Sequence, residues 1–119
     1  MGETSDDETP LTVEHADGAI IARAKSKMVD DAALETLIGM VDQASDAHAG
    51  TGLVILDLSS VTIMPSMALG KLLLLLNKCG ARRQSLKLAA VQPQLRRVFT
   101  ITRLDQVFQF VDSVEAARE

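Results

Sequence analysis

Short apolar runs alternate with longer segments of helical periodicity along most of this chain, and this alternation limits the fold more than any other feature. The run Leu-Val-Ile-Leu at residues 53–56 is continuous and apolar, which is typical of a strand buried on both faces. Further strands are predicted at residues 86–91 and 107–111. Because strands that alternate with helices favour parallel pairing, the predicted fold is α/β, a small mixed, mostly parallel sheet of about five strands with about four helices.

The helices are predicted from caps and from apolar spacing. Asp30 or Asp31 begins the first helix, since a carboxylate there accepts the free amide protons of the first turn. Its apolar residues follow at helical spacing and are Leu34, Leu37, Ile38, Val41 and Ala44. The second helix is predicted from Ser66, as its cap, to about Lys78, with Gly80 closing it.

Two more helices and a hairpin complete the predicted order ββαβαβαβα. Pro93 suits the first turn of the third helix, whose predicted inner residues are Leu95, Val98, Phe99 and either Ile101 or Thr102. Asp112 or Ser113 caps a short fourth helix over Val114 and Ala117. At the other end, Asp17-Gly18 separates two apolar segments at residues 11–13 and 19–22, which indicates a β-hairpin.

The length of 119 residues suits one domain. Residues 1–9 are acidic and lack apolar groups, so they are predicted to be a disordered tail, with a single domain over residues 10–119. The longest leucine run, at residues 72–76, is too short to span a membrane, and no signal peptide is visible. We therefore expect a cytoplasmic protein without membrane insertion.

Charge and composition argue against nucleic-acid binding. The net charge is −4 and aromatic residues make up 3% of the chain, which is a poor composition for phosphate contacts and base stacking. The segment from Lys71 to Arg103 nevertheless holds eight basic residues and no acidic one. Two interpretations stay open: a solvated face, or a basic surface that meets an acidic partner.

Catalytic and metal-binding patterns are missing from the sequence. His15 and His48 lack the spacing and companions of a zinc site, and Cys79 is the one cysteine. The sequence contains neither the phosphate-binding loop Gly-x-x-x-x-Gly-Lys-Ser/Thr nor the dinucleotide-binding turn Gly-x-Gly-x-x-Gly. We therefore expect a protein that is not an enzyme, with no catalytic residue, metal or cofactor.

The segment around Ser66 carries the functional interpretation. Helical phase predicts a core stripe of Leu69, Leu72, Leu73 and Leu76, and places Met67, Lys71, Leu74 and Lys78 on the opposite face. An exposed methionine in a first helical turn suits an adaptable protein contact. The helix N-terminus could also bind an anion, so a small-ligand sensor is one functional hypothesis. It is the weakest of three, because no convergent cluster of charged side chains accompanies that terminus.

The chain resembles the STAS domain family, which includes anti-sigma factor antagonists and the cytoplasmic tails of sulfate transporters. The resemblance covers residues 11 to 118. It is carried by the order and spacing of Val29-Asp30, Val54-Ile-Leu-Asp-Leu58, Ser66-Met-Ala-Leu-Gly70, residues 86–93, Leu95-Arg-Arg-Val-Phe99, Thr102-Arg-Leu-Asp105 and Val107-Phe108. It implies a small, largely parallel sheet backed by helices. It also implies a protein partner, a kinase that is itself an anti-sigma factor.

The chain departs from the family at the centre of this resemblance. The family usually carries Asp-Ser-Ser-Gly-Leu-Gly, whose second serine the kinase phosphorylates, whereas this chain reads Pro65-Ser-Met-Ala-Leu-Gly70. Methionine cannot accept a phosphate, so we expect binding without the usual serine switch. An alternative is a shifted phosphosite at Ser66.

The resemblance and the helical phase together give the predicted partner-binding residues. They are Asp30, Met64, Pro65, Ser66, Met67, Lys71 and Leu74. The expected function is a regulatory module that binds a kinase-type anti-sigma factor. The alternative is an accessory STAS subunit that docks on the ATPase of an ABC-type lipid transporter.

Overall fold

The structure is a computed structural model that describes residues 11–118. Its strands are β1 (Leu11–Ala16), β2 (Ala19–Ala24), β3 (Leu53–Asp57), β4 (Ser85–Ala89) and β5 (Gln109–Val111). Its helices are α1 (Asp31–Ala47), α2 (Ser66–Ala81), α3 (Pro93–Ile101) and α4 (Val114–Ala117), with a 3-10 turn at Leu104–Gln106. This order confirms the predicted fold class. The predicted acidic tail lies outside the described residues.

The five strands form one sheet in the order β1-β2-β3-β4-β5. The β1–β2 hairpin is antiparallel, with Leu11 opposite Ala24, and turns through Asp17 and Gly18, both at positive φ. The other three pairs are parallel. Parallel strands end at a common edge, so β2, β3 and β4 all end at what we call the carboxyl edge, where the loops leading into α1, α2 and α3 begin.

The core has two unequal sides. On the larger side α1, α2 and α3 cover the sheet, where Leu37, Leu72 and Phe99 pack with strand residues such as Ile20 and Leu56. On the smaller side Ala117 of α4 packs on Ala19, Ile21, Ile55 and Ala89. Helix connections between adjacent parallel strands are right-handed, which places the three longer helices on one face.

Two predicted caps are confirmed. The Asp30 side chain accepts a hydrogen bond from the Ala33 amide at 2.9 Å, which places the N-cap of α1 at Asp30. Ser113 caps α4 in the same way, accepting from the Ala116 amide at 3.0 Å.

The predicted ends of α2 are wrong. Pro65, with extended backbone angles, is its N-cap and no side chain caps the first turn; Ser66 is already the first helical residue. A residue inside the helix cannot adopt the extended conformation that an N-cap requires. At the other end Gly80 lies within the helix, which continues to Ala81.

The predicted core stripe of α2 is shifted. The buried residues are Ala68, Leu69, Leu72, Leu75 and Cys79, while Leu73 and Leu76 are half-buried. The helix packs against both the sheet and α1, so its buried stripe is turned toward α1. The stripe includes the small residues Ala68 and Cys79, which a prediction based on large apolar side chains leaves out.

The predictions for the C-terminal third are partly wrong. Ile101 and Thr102 are exposed rather than inward, because α3 ends there and the Thr102 hydroxyl donates to the Val98 carbonyl oxygen at 2.8 Å. The last strand begins at Gln109 instead of Val107, since the amides of Val107 and Phe108 donate to the Leu104 carbonyl oxygen and close the 3-10 turn.

Candidate functional site

The candidate site lies at the carboxyl edge, where two loops are tied together by backbone hydrogen bonds. The Lys27 carbonyl oxygen accepts from the amides of Thr62 and Ile63 at 2.8 and 3.0 Å. In return the Val29 amide donates to the Ile63 carbonyl oxygen at 3.1 Å. The loop that enters α1 and the loop that enters α2 therefore form one unit.

Four exposed apolar side chains belong to this unit and to the helix that follows it. Met28 and Ile63, each 50% exposed, are partners in an isolated parallel bridge. Met67, in the first turn of α2, is 69% exposed. Leu74 lies two turns further along the same face of α2 and is 41% exposed. Exposed apolar side chains grouped in this way are typical of interaction sites.

We name this region the carboxyl-edge surface and define it by Met28, Ile63, Pro65, Ser66, Met67 and Leu74. Met28 and Ile63 are absent from the predicted site. The sequence offers only a weak signal for them, since the run Val-Thr-Ile-Met at residues 61–64 does not show which apolar residues point outward. In the structure Val61 and Met64 are buried and Ile63 is exposed.

The start of α2 gives this surface its electrostatic character. Pro65 supplies no side-chain cap and no acidic residue lies in the first turn. The free amide groups of this turn, together with the helix dipole, make the local potential positive. Ser66 is exposed within this turn.

Three predicted site residues do not face outward as expected. Met64 is 5% exposed and packs in the core, so it supports the carboxyl-edge surface from beneath and cannot contact a partner directly. Lys71 is turned toward α1, with its Nζ atom 3.8 Å from a carboxylate oxygen of Glu35. Asp30 is half-buried, and its side chain caps α1 by accepting a hydrogen bond from the Ala33 amide.

A row of ion pairs joins α1 to α2 beside the surface. Lys78 and Arg82 both contact Asp42, at 3.4 and 2.8 Å, and Arg82 also reaches Asp46 at 3.6 Å. Such exposed pairs contribute little stability, typically 0 to about 1 kcal/mol. They lie on the side of α2 that faces α1, while Met67 and Leu74 are exposed away from the buried stripe of the helix.

The one cysteine among the described residues is a buried thiol. Cys79 is buried in α2, and burial raises the pKa of its thiol from 9.0 to about 11, against the smaller lowering effect of Arg82. Among residues 11–118 no group of three or more histidine, cysteine and acidic side chains is arranged to hold a metal ion. Within the same residues no helix is long and apolar enough to cross a membrane.

These features define the class of protein first: a small α/β domain whose mixed sheet carries three helices on one face and one on the other. A model of the STAS domain matches residues 11–117, and the chain belongs to this family. The resemblance inferred from the sequence is therefore confirmed.

A relative in Pseudomonas aeruginosa (strain UCBPP-PA14) is described as a STAS-domain containing protein. It is 34% identical over 55 residues, which are 46% of this chain and 54% of that protein. The match thus spans about half the length of this relative.

Solved structures share the fold. An anti-sigma factor antagonist from Mycobacterium paratuberculosis is 28% identical with a TM-score of 0.73, over 92% of this chain and 93% of that one. The murine Solute Carrier 26 family member A9 anion transporter gives a TM-score of 0.73 at 19% identity, over 88% of this chain and 18% of that one. The second likeness is one of fold alone.

Proposed function

We propose that this domain is a non-catalytic regulatory module of the anti-sigma factor antagonist type, acting in the cytoplasm, and that it binds a kinase-like anti-sigma factor through the carboxyl-edge surface. The observation that carries the proposal is Met67, a large apolar side chain 69% exposed in the first turn of α2. The 28% identity to an anti-sigma factor antagonist over most of both chains supports the choice of partner.

The chemistry of the surface suits a protein partner. Met28, Ile63 and Met67 supply apolar area from three places on one edge. Methionine is flexible and polarizable, so it adapts to a partner's shape at low cost. The free amides at the start of α2 add hydrogen-bond donors for a carboxylate or carbonyl group on the partner.

We further propose that binding is not switched by phosphorylation. Met67 stands where the family usually carries the phosphorylated serine, and a thioether cannot accept a phosphate. Incubation with the captured kinase and ATP should leave the intact mass of this protein unchanged. A phosphate found on Ser66, the exposed serine one residue earlier, would contradict the proposal.

The test is affinity purification of the tagged protein from its native cells, with partners identified by mass spectrometry. The wild type should retain a kinase-like anti-sigma factor, and Met67→Asp should lose it. Gln43→Asp is the control, because Gln43 is exposed in α1 and lies outside the carboxyl-edge surface. Loss of the partner in both variants, or in neither, would refute the assignment of the surface.

The same experiment distinguishes the alternative function. An accessory subunit of a lipid transporter would instead retain an ATPase, together with membrane proteins. The fold of the murine anion transporter's STAS region favours keeping this alternative, since the same fold operates there within a transport protein.

A further inference from the structure

The helices α2 and α3 end in the same unusual way. The residue just after each C-cap, Arg83 and Arg103, has φ of 60° and 65°. Glycine commonly occupies this left-handed position, because other residues there cost roughly 1–2 kcal/mol. A cation near a helix C-terminus interacts favourably with the helix dipole. An arginine in the last helical turn would make the same interaction without adopting the left-handed conformation, so the dipole does not explain these two positions.

Both arginines lie at the amino edge of the sheet, opposite the carboxyl-edge surface. Arg83 shortly precedes β4, and α3 returns from the carboxyl edge to the start of β5, which brings Arg103 to the same end. The two strained positions therefore lie at the same edge of the sheet. Residues held in strained conformations occur preferentially at functional sites.

This edge also carries exposed apolar side chains. Ile101 is 74% exposed, the highest value among the large apolar residues that the structure describes, and Val107 is 47% exposed. They lie on either side of Arg103 in the sequence. The loop that holds them is well ordered by hydrogen bonds: the amides of Arg103 and Val107 donate to the carbonyl oxygens of Thr100 and Leu104 at 3.1 and 3.0 Å.

Three arginines near this edge have no ion-pair partner among the described residues. Within residues 11–118 Arg83, Arg97 and Arg103 make no ion pair, whereas the neighbouring Arg82 contacts Asp42 at 2.8 Å. Asp105 is the one acidic residue between Arg83 and Val107 in the sequence. Arg97 is exposed one turn before Ile101 on α3.

From these observations we propose a second interaction surface, the amino-edge surface, formed by Arg83, Arg97, Ile101, Arg103 and Val107. Its occupant is an acidic protein segment that carries an apolar side chain for Ile101. Arginine forms paired hydrogen bonds with carboxylates and is enriched in protein interfaces, where lysine is depleted. The cluster contains arginine and no lysine. This proposal does not depend on the proposed function at the carboxyl edge.

The observations favour a protein over a membrane or a nucleic acid. Anionic membranes are typically bound by clusters of about four to eight lysine or arginine residues, whereas this surface holds three arginines. Base stacking needs exposed aromatic rings, but Phe99 and Phe108 are buried, and the guanidinium of Arg96 covers Phe110 at 4.0 Å.

The test is an NMR titration of the isotopically labelled full chain with a short peptide of glutamate and leucine residues. Resonances of Ile101, Arg103 and Val107 should shift, and those of Met28 and Met67 should not. Ile101→Ser should raise Kd about tenfold, because it removes the apolar anchor. Arg103→Gly should also raise Kd while leaving the melting temperature unchanged or higher, since it relieves the left-handed strain.

Arg82→Gln is the matched control, because Arg82 lies beside Arg83 but already forms an ion pair with Asp42. This variant should bind the peptide as tightly as the wild type does. A peptide with lysine in place of glutamate should not bind. The proposal is overturned if the acidic peptide causes no shifts at the amino edge, or if Arg103→Gly binds as tightly as the wild type. Equal shifts with phosphatidylglycerol vesicles or with a single-stranded oligonucleotide would also overturn it.

Discussion

Met28 and Ile63 are paired in an isolated parallel bridge, and each leaves half of its side chain exposed. The pairing holds the entry loops of two helices in a fixed relation, because the Lys27 carbonyl oxygen accepts amide hydrogen bonds from both Thr62 and Ile63. A preorganised surface loses less conformational entropy on binding than a mobile loop would. The bridge therefore makes the carboxyl-edge surface suitable for recognition before any partner arrives.

Replacing Ile63 with aspartate should weaken partner binding without unfolding the domain. The side chain is half exposed, so its loss should change the free energy of unfolding by about 0.5 kcal/mol or less. A carboxylate in an apolar contact should raise Kd at least tenfold, since a buried unpaired charge is costly. Surface plasmon resonance with the captured partner measures the first effect and urea unfolding the second. Wild-type affinity in this variant would exclude Ile63 from the interface.

The methionines at positions 64 and 67 should respond to alanine in opposite ways. Met64 is 5% exposed in the core, so Met64→Ala should lower the free energy of unfolding by about 2–5 kcal/mol. Met67→Ala should change it by about 0.5 kcal/mol or less, because that side chain is 69% exposed. Urea denaturation of both variants decides the matter. Equal destabilisation would mean that Met67 packs in the core, and its role in binding would then fail.

The sequence was most informative where local rules and tertiary packing agree. The hairpin at Asp17-Gly18, the cap at Asp30 and the buried strand at residues 53–57 each depend on chemistry within a few residues. The candidate site was harder to predict. Ile63 and Met64 are adjacent and both apolar, and only the hydrogen bonds between Lys27 and residues 62–63 decide which one is exposed. A contact across 35 residues leaves no local pattern.

The helix ends show the same limit. Ser66 satisfies the composition rule for a cap, yet Pro65 holds that place because its extended conformation precedes the first helical turn. Arg83 and Arg103 occupy positions that usually take glycine, so the ends of α2 and α3 could not be placed from the sequence.

Removing the cap of α1 should destabilise the domain modestly. Asp30 accepts the Ala33 amide at 2.9 Å, so Asp30→Ala should cost about 1 kcal/mol of unfolding free energy. Asp30→Asn should retain most of the wild-type stability, because the side-chain oxygen of asparagine can accept the same hydrogen bond. Thermal unfolding of the two variants provides the comparison. An equal loss in both would show that charge at the helix N-terminus, rather than the hydrogen bond, is what Asp30 contributes.

Alkaline pH should destabilise the domain through Cys79. Burial raises the pKa of this thiol from 9.0 in the unfolded chain to about 11 in the folded one. Below 9.0 the thiol is protonated in both states and stability is unaffected. As the pH rises from 9.0 toward 11 the unfolded chain loses its proton first, so the unfolded state is favoured.

The size of the effect follows from about 1.4 kcal/mol for each pH unit between the two pKa values, giving a loss on the order of 2–3 kcal/mol above pH 11. Urea unfolding of the wild type and of Cys79→Ala across this window isolates the thiol, because all other titrating groups are common to both proteins. The wild type should lose stability more steeply than the variant, although the variant starts lower because of the cavity it creates. Parallel slopes in the two proteins would show that the Cys79 thiolate is as well accommodated in the folded chain as in water, contrary to its burial in α2.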